Sequence, residues 1–175
     1  MKIKALIFLL LVFTGLQCSR NEGRKLTDNE IHEAEEALVA TNRLLIKKDK
    51  AQIEEYIKKH NLTLSESASG LWYGIIRRGT GAPVTENAIV TLLYDVSLLD
   101  GTPCYNSDSL GVKQFRVGQG GVESGLEEGI LLLNEGSKAI FIMPPHLAHG
   151  LTGDGDKVPA RSIIVYNVEL LKVEP

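Results

Sequence analysis

The chain has 175 residues, 43% of them hydrophobic and 23% charged, the balance of a soluble globular protein with one domain and a small extension. A net charge of −3 argues against a nucleic-acid binder, which needs a basic face, and two cysteines, Cys18 and Cys104, supply neither a metal-type spacing nor a disulfide framework. Seventeen glycines fit a chain with many tight turns.

The first predicted element is an export signal. Lys2 and Lys4 form a basic start, and Ala5 to Phe13 is an unbroken apolar run. That run is too short to cross a bilayer, which takes about 20 residues, so residues 1–17 read as a signal peptide rather than a buried helix. Without Lys2 and Lys4 the remainder carries 17 basic and 22 acidic residues, a balance of −5. Cys18 stands where bacterial lipoproteins carry their acylated cysteine. Gly15 and Gln17 depart from the Leu and small residue that motif prefers, so a plain secretory signal is the alternative. Acyl chains on Cys18, at about 0.8 kcal/mol per buried methylene, would hold the protein on a membrane of the cell envelope, with residues 18–26 as a polar tether. The alternative is a soluble periplasmic protein.

Residues 27–61 read as a helical extension. Thr27 and Glu30 fit a capping box. Ile31, Ala34, Leu38, Thr41 and Leu45 then recur at helical steps to about Lys48. Asp49 with Gln52 fits the cap of a second helix bearing Ile53, Tyr56 and Ile57 and ending at His60-Asn61. The apolar stripe must be buried somewhere. It packs either on the chain's own C-terminal domain or on the same stripe of a second copy, giving a homodimer. Residues 62–69 are small and polar and read as a linker.

Residues 70–175 alternate with the period of a β-sheet. Leu71 to Ile76 is β-rich, and Val90, Leu92, Tyr94, Val96 and Leu98 share one face of a long strand. Asp100-Gly101 marks a turn. Gln114 to Val117 and Lys138 to Met143 are short strands, and Ser162 to Val173 is the longest, with Ile164, Tyr166, Val168 and Leu170 on one face. Only Val122, Leu126, Ile130 and Leu133 follow a helical period, with Glu127 and Glu128 off that face and expected in solvent. The fold class is therefore α+β, a twisted antiparallel sheet with one helix across its concave side.

The order of motifs resembles a known family. Gly79-Thr-Gly81, Val90-Thr-Leu-Leu-Tyr94, Asp100-Gly101, Phe115-Arg-Val-Gly118, Gly125-Leu-Glu-Glu-Gly129, Gly136-Ser-Lys-Ala139, Ala148-His-Gly150 and Val168-Glu-Leu-Leu-Lys172 are similar to the marks of an FKBP-type peptidyl-prolyl isomerase domain, in its order. The resemblance implies a curved sheet around one short helix, a pocket between them, X-Pro segments as substrates, and no cofactor or metal. Carried over by position, Tyr94 keeps the pocket tyrosine, Val122 the aliphatic wall and Val158 an apolar place in the late loop. Tyr166 is aromatic where phenylalanine is usual. Leu126 replaces the tryptophan floor, and Cys104 and Tyr105 replace a Phe-Asp pair. Lys113 replaces a pocket-edge phenylalanine, and His149 a tyrosine whose hydroxyl donates to substrate. Glu123 takes a place whose backbone N–H usually contacts the ligand. These departures keep a second reading open, the same fold as a weakly catalytic or inactive peptide-binding module.

Blander readings stand beside these. Tyr94 and Tyr166 also suit a core. Cys104 reads as a small buried hydrophobe, with a reactive thiol as the alternative. His146 and His149 have no third metal ligand in view. Asp154 and Asp156 lack the ladder of a calcium loop, leaving a mobile lid as the simpler reading.

Overall fold

A computed structural model describes residues 27–175. The signal peptide, the tether and Cys18 lie outside the described residues. The chain divides into two compact units, one ending at Ala40 and the other running from Thr41 to Pro175. Among the described residues no helix is long and apolar enough to cross a membrane.

Helix α1 spans Asp28–Lys59. The capping box forms at its start, where the Glu30 carboxylate accepts the Thr27 N–H at 2.8 Å and the Thr27 hydroxyl accepts the Glu30 N–H at 3.4 Å. The expected break at Asp49 does not occur. No Gly or Pro interrupts the span, and the Asp49 carboxylate is turned to Arg161, whose Nη2 donates to both oxygens at 2.8 and 3.1 Å. The helix ends where expected. Asn61 takes a left-handed φ of 52°, and the Leu62 N–H reaches back to the Ile57 carbonyl.

Seven strands form one antiparallel sheet, β1 (Ser65–Glu66), β2 (Trp72–Arg77), β3 (Ile89–Leu98), β4 (Pro103–Asn106), β5 (Lys113–Arg116), β6 (Lys138–Met143) and β7 (Ile164–Glu174), in the order β1-β2-β6-β7-β3-β4. Both β5 and β4 pair with the outer edge of β3, β5 with its first half and β4 with its second. The segment expected as a linker instead supplies β1, with Ser65 opposite Tyr73, and its Leu62 and Leu64 pack on the sheet.

The period-two faces hold. Val90, Leu92 and Val96 of β3 and Ile164, Tyr166, Val168 and Leu170 of β7 are buried in one core with Phe141 of β6. On the other face Ile140, Ile142 and Val165 cover Ile53 of α1, with Tyr56, Ile57 and Trp72 beside them. Thus the second half of α1 packs on the sheet, whereas Ile31, Leu38, Leu44 and Ile46 remain exposed.

Helix α3 (Ser124–Ile130) lies across the first core, and α2 (Ser107–Leu110) follows β4. Leu126 and Ile130 are fully buried. Two glycines set how close α3 comes to β6. A Cβ on Gly129 would stand 2.8 Å from the Phe141 ring, and one on Gly125 would stand 2.9 Å from Met143. Glu127 and Glu128 lie off the buried face as expected, half-exposed and each bonded to a neighbouring loop. Glu127 accepts the Gly120 N–H at 3.0 Å, and Glu128 accepts the Ser69 hydroxyl at 2.6 Å.

Gly129→Ala tests this close approach. Alanine returns about 1 kcal/mol of helix propensity, but overpacking costs about 1–3 kcal/mol. A net loss of stability in urea titration is expected. An unchanged or raised midpoint would show that the helix has room to move off the sheet.

Candidate functional site

A cleft of about 510 Å³ opens between α3 and the sheet, within the range of small-ligand sites. Its back is Val96 of β3 and two aromatic rings. Tyr94 of β3 and Tyr166 of β7 stand with ring centroids 5.9 Å apart and planes tilted by 33°. The β3–β7 register places Val96 opposite Tyr166 and Tyr94 opposite Val168, so the two rings meet diagonally on one face. Ser107 at the start of α2 holds the Tyr94 backbone, its hydroxyl donating to the Tyr94 carbonyl at 3.1 Å.

The front of the cleft is polar. Lys113, at the start of β5, lays its ammonium 4.9 Å from the Tyr94 ring centre and 5.3 Å from that of Tyr166. The Glu123 carboxylate, just before α3, faces it. Oε2 is 3.6 Å from Lys113 Nζ, and Oε1 is 3.4 Å from Nε2 of His149. The Glu123 side chain is only 10% exposed, and its Oε2 receives no hydrogen bond. The Tyr166 hydroxyl is likewise buried without a partner. An unmade buried hydrogen bond costs about 1–3 kcal/mol, more for a charged group. Burial pushes the Tyr166 hydroxyl far up from its ordinary pKa, and the nearby Glu123 charge adds to this. The same two causes raise Tyr94 more modestly.

One wall is the loop after β6, which carries His149 and Asp154. The Tyr105 hydroxyl of β4 donates to Asp154, and the other Asp154 oxygen accepts the N–H groups of Asp156 and Val158 at 2.9 Å each. The segment read as a mobile lid is therefore tied down by one carboxylate. Burial raises the Asp154 carboxyl, but the Tyr105 hydroxyl and the two backbone donors outweigh it and bring it down to about 2. Donation to Asp154, with burial behind it, pushes Tyr105 up to about 12.

The structure thus brings Tyr94, Tyr105, Val122, Glu123, His149 and Tyr166 to one cleft. Leu126, Cys104 and Val158 are buried in the same core as Tyr166 but, unlike it, do not line the cleft. Burial raises the Cys104 thiol, as does the Asp154 charge, which keeps it protonated. His146 is directed away, its Nε2 2.9 Å from the Ser69 carbonyl. Among the described residues no group of three His, Cys, Asp or Glu is placed to hold a metal. Sequence reasoning missed the role of Asp154 in ordering the loop. The Asp-Gly-Asp-Lys run around it carries an Asx-turn signal that could have found it.

The family profile described as "FKBP-type peptidyl-prolyl cis-trans isomerase" matches residues 81–171, just over half of the chain. FKBP-type peptidyl-prolyl cis-trans isomerase FkpA of Aeromonas hydrophila is 34% identical over 176 residues, covering 93% of this chain and 64% of that protein. A probable FKBP-type isomerase FkpA of Neisseria meningitidis serogroup B is 35% identical over 130 residues, covering 73% of this chain and 47% of that protein. This chain therefore spans less than two thirds of the length of either relative. The crystal structure of FkpA from Escherichia coli superposes with a TM-score of 0.64 at 31% identity, covering 86% of this chain and 75% of that one.

The Tyr105–Asp154 bond gives the loop a defined pH window. The lowered Asp154 pKa contributes stability that is full above the ordinary carboxyl value near ~4 and is lost as pH falls toward about 2. The raised Tyr105 pKa contributes stability that is full below the ordinary tyrosine value near ~10 and is lost as pH rises toward about 12. The amide shifts of Asp156 and Val158, followed by NMR, should therefore hold steady between those limits. In Tyr105→Phe the acid midpoint should rise toward the ordinary carboxyl value. An unmoved midpoint would mean that the backbone donors alone hold Asp154.

Proposed function

The chain belongs to the FKBP-type peptidyl-prolyl cis-trans isomerase family, and from that premise we propose that the cleft binds X-Pro segments and catalyses their cis-trans isomerisation. The observation that carries this reading is the pair of tilted rings, Tyr94 and Tyr166, backed by Val96 in a cleft sized for a prolyl residue and its neighbours. A prolyl amide must lose planarity against about 18–20 kcal/mol, and unaided exchange takes tens to hundreds of seconds. The twisted amide carries less charge separation than the planar one, so the ring faces and aliphatic walls solvate it relatively well. Only that preference accelerates the reaction, by tenfold for each ~1.4 kcal/mol.

In this reading Tyr94, Tyr166 and Val122 hold the prolyl ring, and Leu126 belongs to the buried core that also holds Tyr166. His149 and the Tyr166 hydroxyl offer hydrogen bonds to flanking carbonyls. Tyr105 shapes the wall through Asp154, with Cys104 and Val158 packed behind it. Lys113 now stands over both rings, so it must move aside for substrate. That same observation favours a second reading, a peptide-binding module with little turnover.

Clients would be X-Pro segments of exported or envelope proteins. Export, and a lipid on Cys18 in place of a soluble periplasmic form, rest on the sequence pattern of residues 1–18. The exposed Ile31, Leu38, Val39, Leu44 and Ile46 of α1 support a homodimer through that helix.

A prolyl-peptide exchange assay on the purified chain should give rates above the unaided one, and rates equal to background would remove the enzyme in favour of the binding module. Tyr166→Phe should raise thermal stability, since it deletes an unpartnered buried hydroxyl. A lowered stability would reveal a partner for that hydroxyl. For the dimer, light scattering on Leu38→Asp should report a monomer where the parent chain reports twice the mass. A monomeric parent would end that proposal.

A further inference from the structure

Two polar groups inside the cleft are left without hydrogen bonds by the chain itself, Glu123 Oε2 and the Tyr166 hydroxyl. Both belong to side chains at least nine-tenths buried. Lys113 balances the Glu123 charge but stands 3.6 Å away, beyond hydrogen-bond reach, because its ammonium rests over the two tyrosine rings instead. Glu123 is thus ready for a donor from outside. The sign of the charge decides which donor. The Asp154 carboxylate is taken up by Tyr105 and the loop's own N–H groups, with the Lys157 ammonium over the Tyr105 ring, whereas Glu123 faces only Lys113 and His149, and His149 adds charge only when protonated. Lys113 already shows that an ammonium inside this cleft comes within 3.6 Å of Glu123 Oε2.

We propose that Glu123 is a specificity-determining residue that selects X-Pro segments in which X is lysine or arginine. The prolyl ring takes the place over Tyr94 and Tyr166 that Lys113 leaves, the cation of X donates to Glu123 Oε2 in its stead, and Lys113, itself a quarter exposed, swings out through the mouth. Residue X is the one read because its carbonyl belongs to the isomerising bond, so it must enter the cleft with the prolyl ring. A carbonyl of the same segment then accepts from the Tyr166 hydroxyl. The proposal rests on the reading that the cleft takes X-Pro segments.

The test uses the full chain and peptides that differ only in X, as Lys, Arg, Leu or Glu. Binding is followed by fluorescence anisotropy and exchange by NMR. The Lys and Arg peptides should bind about tenfold more tightly than the Leu peptide, the order of one charge-assisted hydrogen bond, with the Glu peptide weakest. Glu123→Gln should bring the Lys-to-Leu ratio toward unity, and Lys113→Met, which removes the competing ammonium, should widen it. Thermal melts establish that each variant is folded. A ratio near unity in the parent chain, or one that survives in folded Glu123→Gln, overturns the proposal, and a ratio that Lys113→Met leaves unwidened overturns the exchange of Lys113 for the incoming cation. Exchange at background with a Glu123-dependent Lys preference sinks the isomerase and keeps the specificity. Equal acceleration of all peptides does the reverse, and no binding of any peptide ends both.

Discussion

The close seating of α3 on β6 is the constraint on which the rest of the molecule depends. Gly125 and Gly129 bring the helix backbone against Met143 and Phe141, nearer than any side chain at those positions would allow. That contact buries Leu126 and Ile130 completely and fixes the start of the helix over the sheet. Val122 and Glu123, immediately before α3, are then aimed into the space in front of Tyr94 and Tyr166. The cleft is the gap left where the helix, so seated, stops covering the sheet. The Glu127 and Glu128 carboxylates hold Gly120 and Ser69 to the same helix, so neighbouring loops inherit its position.

Within that gap two effects oppose each other. Ring faces and aliphatic walls favour a twisted, less polar amide, whereas Lys113, Glu123 and His149 favour a polar occupant. An ion pair of this depth loses much of its Coulomb attraction to the cost of desolvation, and here the pair is not closed by a hydrogen bond. The cation–π contacts contribute about 0.5–2 kcal/mol at such a site. The resting arrangement is therefore only weakly held, and a ligand offering a better donor to Glu123 can displace Lys113 without dismantling the core beneath it.

How much of this was legible in the sequence follows from the range of each interaction. The faces of β3 and β7 and the stripe Leu126, Ile130 and Leu133 were readable because burial imposes a period on neighbouring residues. The capping box at Thr27 and Glu30 was readable because its partners are three apart. The four-residue β4 and α2 are too short to carry a period. Tyr94, Tyr166, Val122 and His149 could be placed from the family resemblance. That resemblance gave Glu123 a backbone part, and only the fold turns its carboxylate toward Lys113 and His149. The continuous α1 was missed for the same reason. Asp49 looked like a cap because its true partner, Arg161, is 112 residues away.

That distant pair also explains why the helical extension is more than a spacer. Asp49 is 8% exposed, and leaving such a charge unpaired costs about 3–5 kcal/mol when burial is complete, so Arg161 is held firmly. It is held even in a left-handed conformation, at φ 56°. The Arg161 N–H then donates to the Gly150 carbonyl at 3.0 Å, and Gly150 in turn bonds back to Pro145. The loop between these points carries His149 and Asp154, two of the polar groups facing the cleft. Ile53 secures α1 to the outer face of the sheet, and Asp49, one turn earlier, fastens the base of the cleft loop. The second half of the extension thus belongs to the architecture of the site.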